Sequence, residues 1–328
     1  MNWDTRVTEL LGCKYPIIQG AFGGFGNSTL TAPVSAAGGF GIITASALRT
    51  PEGLREDIRK ARSITDKPFG VNLSIGLCPS LDEMREVAIE ERVPAIFTAA
   101  YRAEEHGRRI KEAGLKWVHK VVTVKHAVAA ERHGADAVVI VGLEGTAFKN
   151  ISQLPTLTSI TTAARLMKVP IIAAGGIGDA RGLLAALAMG AEGIYMGTRF
   201  LATKECPVSE RYKQKLIDAQ PWDAEFRERC LMPPKAEEYD KIMGEKGSIS
   251  RDHWLQRLEQ VALGQTPASK EVDWETDFNI EMALRIAGGS LAVGVIDRVM
   301  SVKELIDTII RDAEQILSKD GNLGRLLR

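Results

Sequence analysis

Short β-rich apolar runs recur eight times in the first two-thirds of this chain, each bounded by glycine, proline or charge: residues 16–20, 41–44, 69–73, 95–98, 116–120, 137–141, 170–175 and 193–197. Between them lie segments whose apolar residues recur at helical spacing, among them 51–64, 81–91, 103–113, 124–133 and 180–189. Strands alternating with helices imply a parallel sheet, because a parallel neighbour is reached only through a crossover. Eight such units in about 200 residues predict a closed (β/α)8 barrel. The competing architecture is an open doubly wound sheet. Against it, the first run leads through Gly23-Gly24-Phe25-Gly26 to Asn27, which starts a helix, with no acidic residue at the dinucleotide-fingerprint distance.

From 206 to 285 the texture changes. Strand-like runs vanish, charge density rises, and Trp222, Trp254 and Trp274 appear. This segment reads as a mostly helical excursion that caps the barrel mouth or sits in a subunit interface; its tryptophans suit a homo-oligomer or a small core of its own. The barrel is expected in residues 1–205 and 286–328. A closing helix is expected over 301–317, with Ser301 as N-cap and Glu304 at the capping-box position.

Composition narrows the partners. Of 328 residues, 45% are apolar and 26% charged, and the net charge is zero. No basic stripe invites nucleic acid. Residues 1–9 contain no apolar stretch of signal-peptide type, and no run approaches a membrane span. Four cysteines without a CxxC pair read as reduced thiols, not as a zinc site or a disulfide frame. The expectation is a cytoplasmic protein acting on a small molecule, with no metal, nucleic-acid or membrane partner.

The seventh run ends in Ala173-Ala174-Gly175-Gly176-Ile177-Gly178-Asp179, and the eighth in Tyr195-Met196-Gly197-Thr198-Arg199. In barrels the loops after strands seven and eight often bind phosphate. Glycine lets backbone N–H groups approach an anion, and a helix N-terminus adds favourable partial charge. Gly175, Gly176, Gly197 and Thr198 are therefore the phosphate candidates. Gln19 and Gly20 close the first run, Asn72 lies near the end of the third, and Lys120 closes the fifth. A lysine there points into the mouth and needs an anionic partner. His119, one residue earlier, points the other way in a regular strand and reads as structural.

At these residues the chain resembles the nitronate monooxygenase family, formerly called 2-nitropropane dioxygenases, which also contains FMN-dependent enoyl-acyl-carrier-protein reductases and NADH:quinone reductases. The matching stretches are Tyr15-Pro16-Ile17-Ile18-Gln19-Gly20, Ala36-Ala37-Gly38-Gly39-Phe40-Gly41, Lys67-Pro68-Phe69-Gly70-Val71-Asn72, His119-Lys120, the two glycine loops, and residues 288–297. The resemblance implies a barrel that binds FMN non-covalently. Gln19 and Gly20 would lie near the ring, Asn72 and Lys120 would meet its polar edge, and Gly175, Gly176, Gly197 and Thr198 would hold its phosphate. NADH or NADPH is the implied co-substrate of the reductase members.

One departure bears on chemistry. The family usually carries a histidine after strand six, in a stretch like Glu-x-x-Gly-His; here it reads Glu144-Gly145-Thr146-Ala147-Phe148-Lys149-Asn150. Phe148 stands at the histidine's place and cannot move a proton, so it is expected to wall the pocket. Lys149 and Thr146 are the candidates to act in its stead. The leading expectation is oxidation of alkyl nitronates with O2. The alternative is NAD(P)H-dependent reduction of enoyl thioesters or quinones. A flavin- or phosphate-binding barrel without turnover is the minor one.

Overall fold

A computed structural model describes residues 1–21, 26–100, 102–146, 149–231, 236–250 and 289–318, together with 253, 254, 257, 321 and 323. Eight strands form one parallel sheet: β1 (Ile17–Gln19), β2 (Gly41–Thr44), β3 (Phe69–Ser74), β4 (Ala95–Ala99), β5 (Lys116–Val121), β6 (Ala137–Val141), β7 (Ile171–Ala174) and β8 (Gly193–Met196). They follow chain order around the ring, and β1 pairs with β8. The ring closes between β1 and β2 through the single bridge Ile18–Phe40. This is a (β/α)8 barrel, as the rhythm of the sequence predicts.

The strands are buried on both faces, which is why they read as continuous apolar runs. Alternation still sorts them. Ile18, Phe40, Ile42, Phe97, Val118, Val139 and Tyr195 belong to the cluster inside the barrel, whereas Ile17, Ile43, Val71, Ile96, Trp117 and Ile194 pack against the helices. The inner cluster also contains Val7 and Leu11 of α1 (Arg6–Leu11), which plugs the barrel. Thr5 caps that helix in a reciprocal box with Thr8, and Gly12 ends it at φ 69°. Six residues are too few to announce a helix by periodicity, and the sequence reading does not anticipate it.

The outer helices are α2 (Ser28–Ala36), α3 (Pro51–Ile64), α4 (Leu81–Glu90), α5 (Glu104–Glu112), α6 (Val124–Arg132), α7 (Thr156–Leu166) and α8 (Ala180–Ala188). Asn27 caps α2, its side chain accepting from the Thr29 N–H. After β8 come α9 (Thr198–Leu201), α10 (Glu210–Asp218), α11 (Ala224–Leu231) and α12 (Ala236–Gly244). Trp274 lies outside the described residues. Residues 203 and 300 form a parallel bridge, so the chain leaves and rejoins the barrel at one point. The closing helix α13 (Val302–Leu317) buries Val302, Leu305, Ile306, Ile309, Ile310 and Ala313, a one-faced helical stripe that packs on α8 and α2. Ser301 caps it by accepting from the Glu304 N–H. The second half of the expected capping box does not form; the Glu304 carboxylate turns instead toward Arg298, 3.9 Å away.

Candidate active site

The inward positions at the C-terminal ends of the strands change from apolar to polar. Thr44 and Asn72 pair across β2 and β3, and Ala99 pairs with Lys120 across β4 and β5. Asn72 is 1% exposed; its amide nitrogen donates to Ser74 Oγ at 2.9 Å, while its Oδ1 has no partner. Thr44 Oγ1 and Thr146 Oγ1 are likewise buried without a partner. An unmet buried polar atom costs about 1–3 kcal/mol, so three of them around one barrel mouth mark a place built for a polar ligand. Lys120 stands over the ring of Tyr195, its Nζ 5.4 Å from the centroid. His119 points to the opposite face, where its Nδ1 lies 2.8 Å from Thr98 Oγ1.

Two glycine loops complete the mouth. Gly175 has φ 103° and Gly176 φ 74°. A Cβ on Gly175 would lie 2.9 Å from Thr156 Oγ1 and 3.0 Å from the Gly145 nitrogen; one on Gly176 would lie 3.0 Å from Glu144 Cβ. Both the backbone conformation and the crowding therefore require glycine. On the other side, a Cβ on Gly20 would come within 3.1 Å of Gly197 Cα, so the ends of β1 and β8 touch. Thr198 Oγ1 meets Ser290 Oγ at 2.9 Å and accepts from the Ser290 N–H at 3.0 Å. The next residue, Leu291, donates its N–H to the Glu144 carbonyl at 3.0 Å. The returning segment thus ties the loop after β6 to the loop after β8.

The β6–α7 loop differs from expectation. Lys149 is 6% exposed, and its ammonium donates to the carbonyls of Leu143 (2.8 Å), Gly145 (2.6 Å) and Cys230 (2.7 Å). An ammonium has three hydrogens, and all are used. Burial pushes its pKa down to about 8, opposed by Cys230 and the Glu144 carboxylate. Lys149 is therefore a pin between this loop and α11, its ammonium turned to backbone carbonyls. Thr146 stays at the mouth with its unmet hydroxyl. Phe148 lies outside the described residues. Glu144 accepts from both the N–H and the hydroxyl of Thr156 at 2.8 Å, fixing the start of α7.

Gln19 closes β1, with its side chain turned into the barrel wall. Its side chain is fully buried between β1, β2 and α2; Oε1 accepts from the Ile42 N–H at 3.0 Å and lies 3.3 Å from Thr31 Oγ1, and Nε2 donates to the Gly20 carbonyl at 2.7 Å. It fills a missing rung in the barrel wall. The sequence reading overlooks Thr44, Ser290 and Tyr195. Thr44 was within reach, since it closes the second run as Lys120 closes the fifth. Ser290 was not, because its partner is 92 positions away.

The nitronate monooxygenase family model matches residues 4–312. The chain belongs to the nitronate monooxygenase family. Among the relatives of this nitronate monooxygenase family member is a hydroxy-methyl-oxo-octahydroindene-carboxyl-CoA dehydrogenase of Mycobacterium tuberculosis, 31% identical over 95% of this chain and 97% of the relative. A probable nitronate monooxygenase of Staphylococcus aureus is 31% identical over 67% of this chain and 74% of its own length. The solved structure of FabK from Thermotoga maritima superimposes with a TM-score of 0.73 at 32% identity, covering 96% of this chain and 98% of that one. The chain is accordingly an oxidoreductase of a flavoprotein family.

The mouth fits FMN on its own chemistry. Asn72 Oδ1 is an acceptor awaiting a donor such as a ring N–H, and Lys120, two strands away on β5, brings a cation to the same mouth over the Tyr195 ring. The glycine loops with Thr198 form a narrow cradle of phosphate type. Among the described residues no helix is long and apolar enough to cross a membrane.

Proposed function

We propose that the chain holds FMN across the barrel mouth and reduces the double bond of an α,β-unsaturated acyl thioester, with NADH or NADPH as electron donor. The observation that carries this reading is the condition of the β6–α7 loop. Lys149 is tied to three carbonyls and Glu144 to Thr156, so the described part of the loop presents no free base. Removing a proton next to a carbonyl needs a base; adding hydride to the β-carbon of an enoyl thioester does not, because the resulting enolate takes its proton from water. Bound FMN would supply hydride transfer, and the protein supplies binding and orientation. Lys120 and Asn72 would fix the polar edge of the ring, and Gly175, Gly176, Gly197 and Thr198 its phosphate. The thioester class is supported by similarity over nearly the whole chain to a relative named for a CoA thioester.

The same loop also suits a second reading, oxidation of an alkyl nitronate with O2, because a nitronate arrives already deprotonated. Anaerobic stopped-flow mixing with NADH, NADPH and propyl nitronate in turn separates the two. Bleaching of the flavin band by a nicotinamide, with reoxidation by crotonyl-CoA, is the expected result. Bleaching by nitronate alone would replace it with the second reading.

A further inference from the structure

Three aromatic rings form a column inside the barrel. Phe40 and Phe97 have centroids 6.0 Å apart, and Phe97 and Tyr195 6.4 Å, with planes tilted by 35° in both pairs. Phe40 and Phe97 are fully buried, and Tyr195 is 6% exposed. Tyr195 ends the column at the mouth and touches three things there. Its hydroxyl accepts from the Ala21 N–H at 2.6 Å. Its Cε1 lies 2.8 Å from where a Cβ on Gly20 would stand. Its ring lies beneath the Lys120 ammonium, 5.4 Å from the centroid.

We propose that Tyr195 is the positioning residue of the cofactor mouth: its ring sets the height and direction of the Lys120 ammonium, and its hydroxyl holds the Gly20–Ala21 backbone that would border the isoalloxazine. The proposal rests on the FMN reading above. A lysine side chain has four free torsions, and an aromatic face beneath the ammonium restricts them while attracting the charge. The ring can do this because it is itself fixed, packed on Phe97 below and against Gly20 at its edge. Burial pushes the phenol pKa well above its ordinary value, so the hydroxyl stays neutral and does not compete for the lysine's charge. The column thus links the packed barrel interior to the Lys120 ammonium at the mouth.

The test compares affinities for oxidised and dithionite-reduced FMN in the wild type, Lys120→Met, Tyr195→Leu, Tyr195→Phe and the Lys120→Met/Tyr195→Leu double variant. A cation near the pyrimidine edge favours the anionic reduced ring, so Lys120→Met should weaken reduced FMN more than oxidised FMN. Tyr195→Leu should lose the same preference, by about tenfold in the ratio of the two affinities, and the double variant should lose no more than either single one. Tyr195→Phe keeps the ring, so it should keep the ratio while weakening both redox states by about fivefold through the orphaned Ala21 N–H. Equal weakening of both states in Tyr195→Leu, or additive losses in the double variant, would overturn the proposal. If Tyr195→Leu does not fold, Tyr195→Phe carries the test, and unchanged FMN affinity there overturns it. A wild-type protein that binds FMN in neither redox state would sink the FMN reading itself, and the proposal with it.

Discussion

Lys149 shows how much of one side chain's setting lies beyond its neighbours in sequence. A lysine beside a position that usually carries a histidine invites a chemical role. Its three acceptors include the carbonyl of Cys230, 81 positions later, and nothing in the local sequence announces that partner. The burial has a measurable consequence. The folded pKa is about 8 against an ordinary 10.5, so between those values the unfolded chain holds more proton than the folded one. Stability therefore rises with pH through that window, by up to about 3 kcal/mol. Urea unfolding at the two ends of the window should show this rise in the wild type. Lys149→Met should lack it and should be less stable throughout, because three carbonyls lose their donor. The mouth residues contrast with this. Asn72, Lys120, Gly175, Gly176, Gly197 and Thr198 were legible because strand-end position alone decides where they face.

At the scale of elements, legibility followed length and context. The strands were readable because a buried parallel strand must be apolar on both faces, and the runs at 41–44 and 137–141 coincide with β2 and β6. The helix α3 was readable from its 14-residue stripe, and in the structure Thr50 caps it with Pro51 in the first turn. By contrast, α1 hides because Val7 and Leu11, although at helical i,i+4 spacing, are a single pair in a six-residue element, too short for periodicity to show. Helix α13 offers a clean measurement. Ser301 satisfies the Glu304 N–H at 3.1 Å, at an exposed helix end. Ser301→Ala should lower stability by about 1 kcal/mol and leave FMN affinity unchanged, as read by thermal unfolding and flavin titration.

For the whole molecule, the ring is uneven. Seven of its junctions carry runs of paired residues. The junction of β1 with β2 has one bridge, two backbone bonds between residues 17–19 and Phe40, and the borrowed carboxamide of Gln19. Gln19→Leu keeps the volume and removes the borrowed rung. It should cost about 2–3 kcal/mol by leaving the Ile42 N–H and Thr31 hydroxyl unmet, measured by urea unfolding.

A hoop with one weak stave has a preferred place to spring. Gly20, Ala21 and Thr44 all lie just beyond that stave, on the same rim as Asn72. A ligand that gripped both sides of the gap would hold the hoop shut, and an empty rim would leave it freest there. Cofactor loading and barrel integrity would then be one equilibrium seen from two ends, with the amides of Gln19, Phe40 and Ile42 the first in the wall to trade hydrogen with water when the rim is bare.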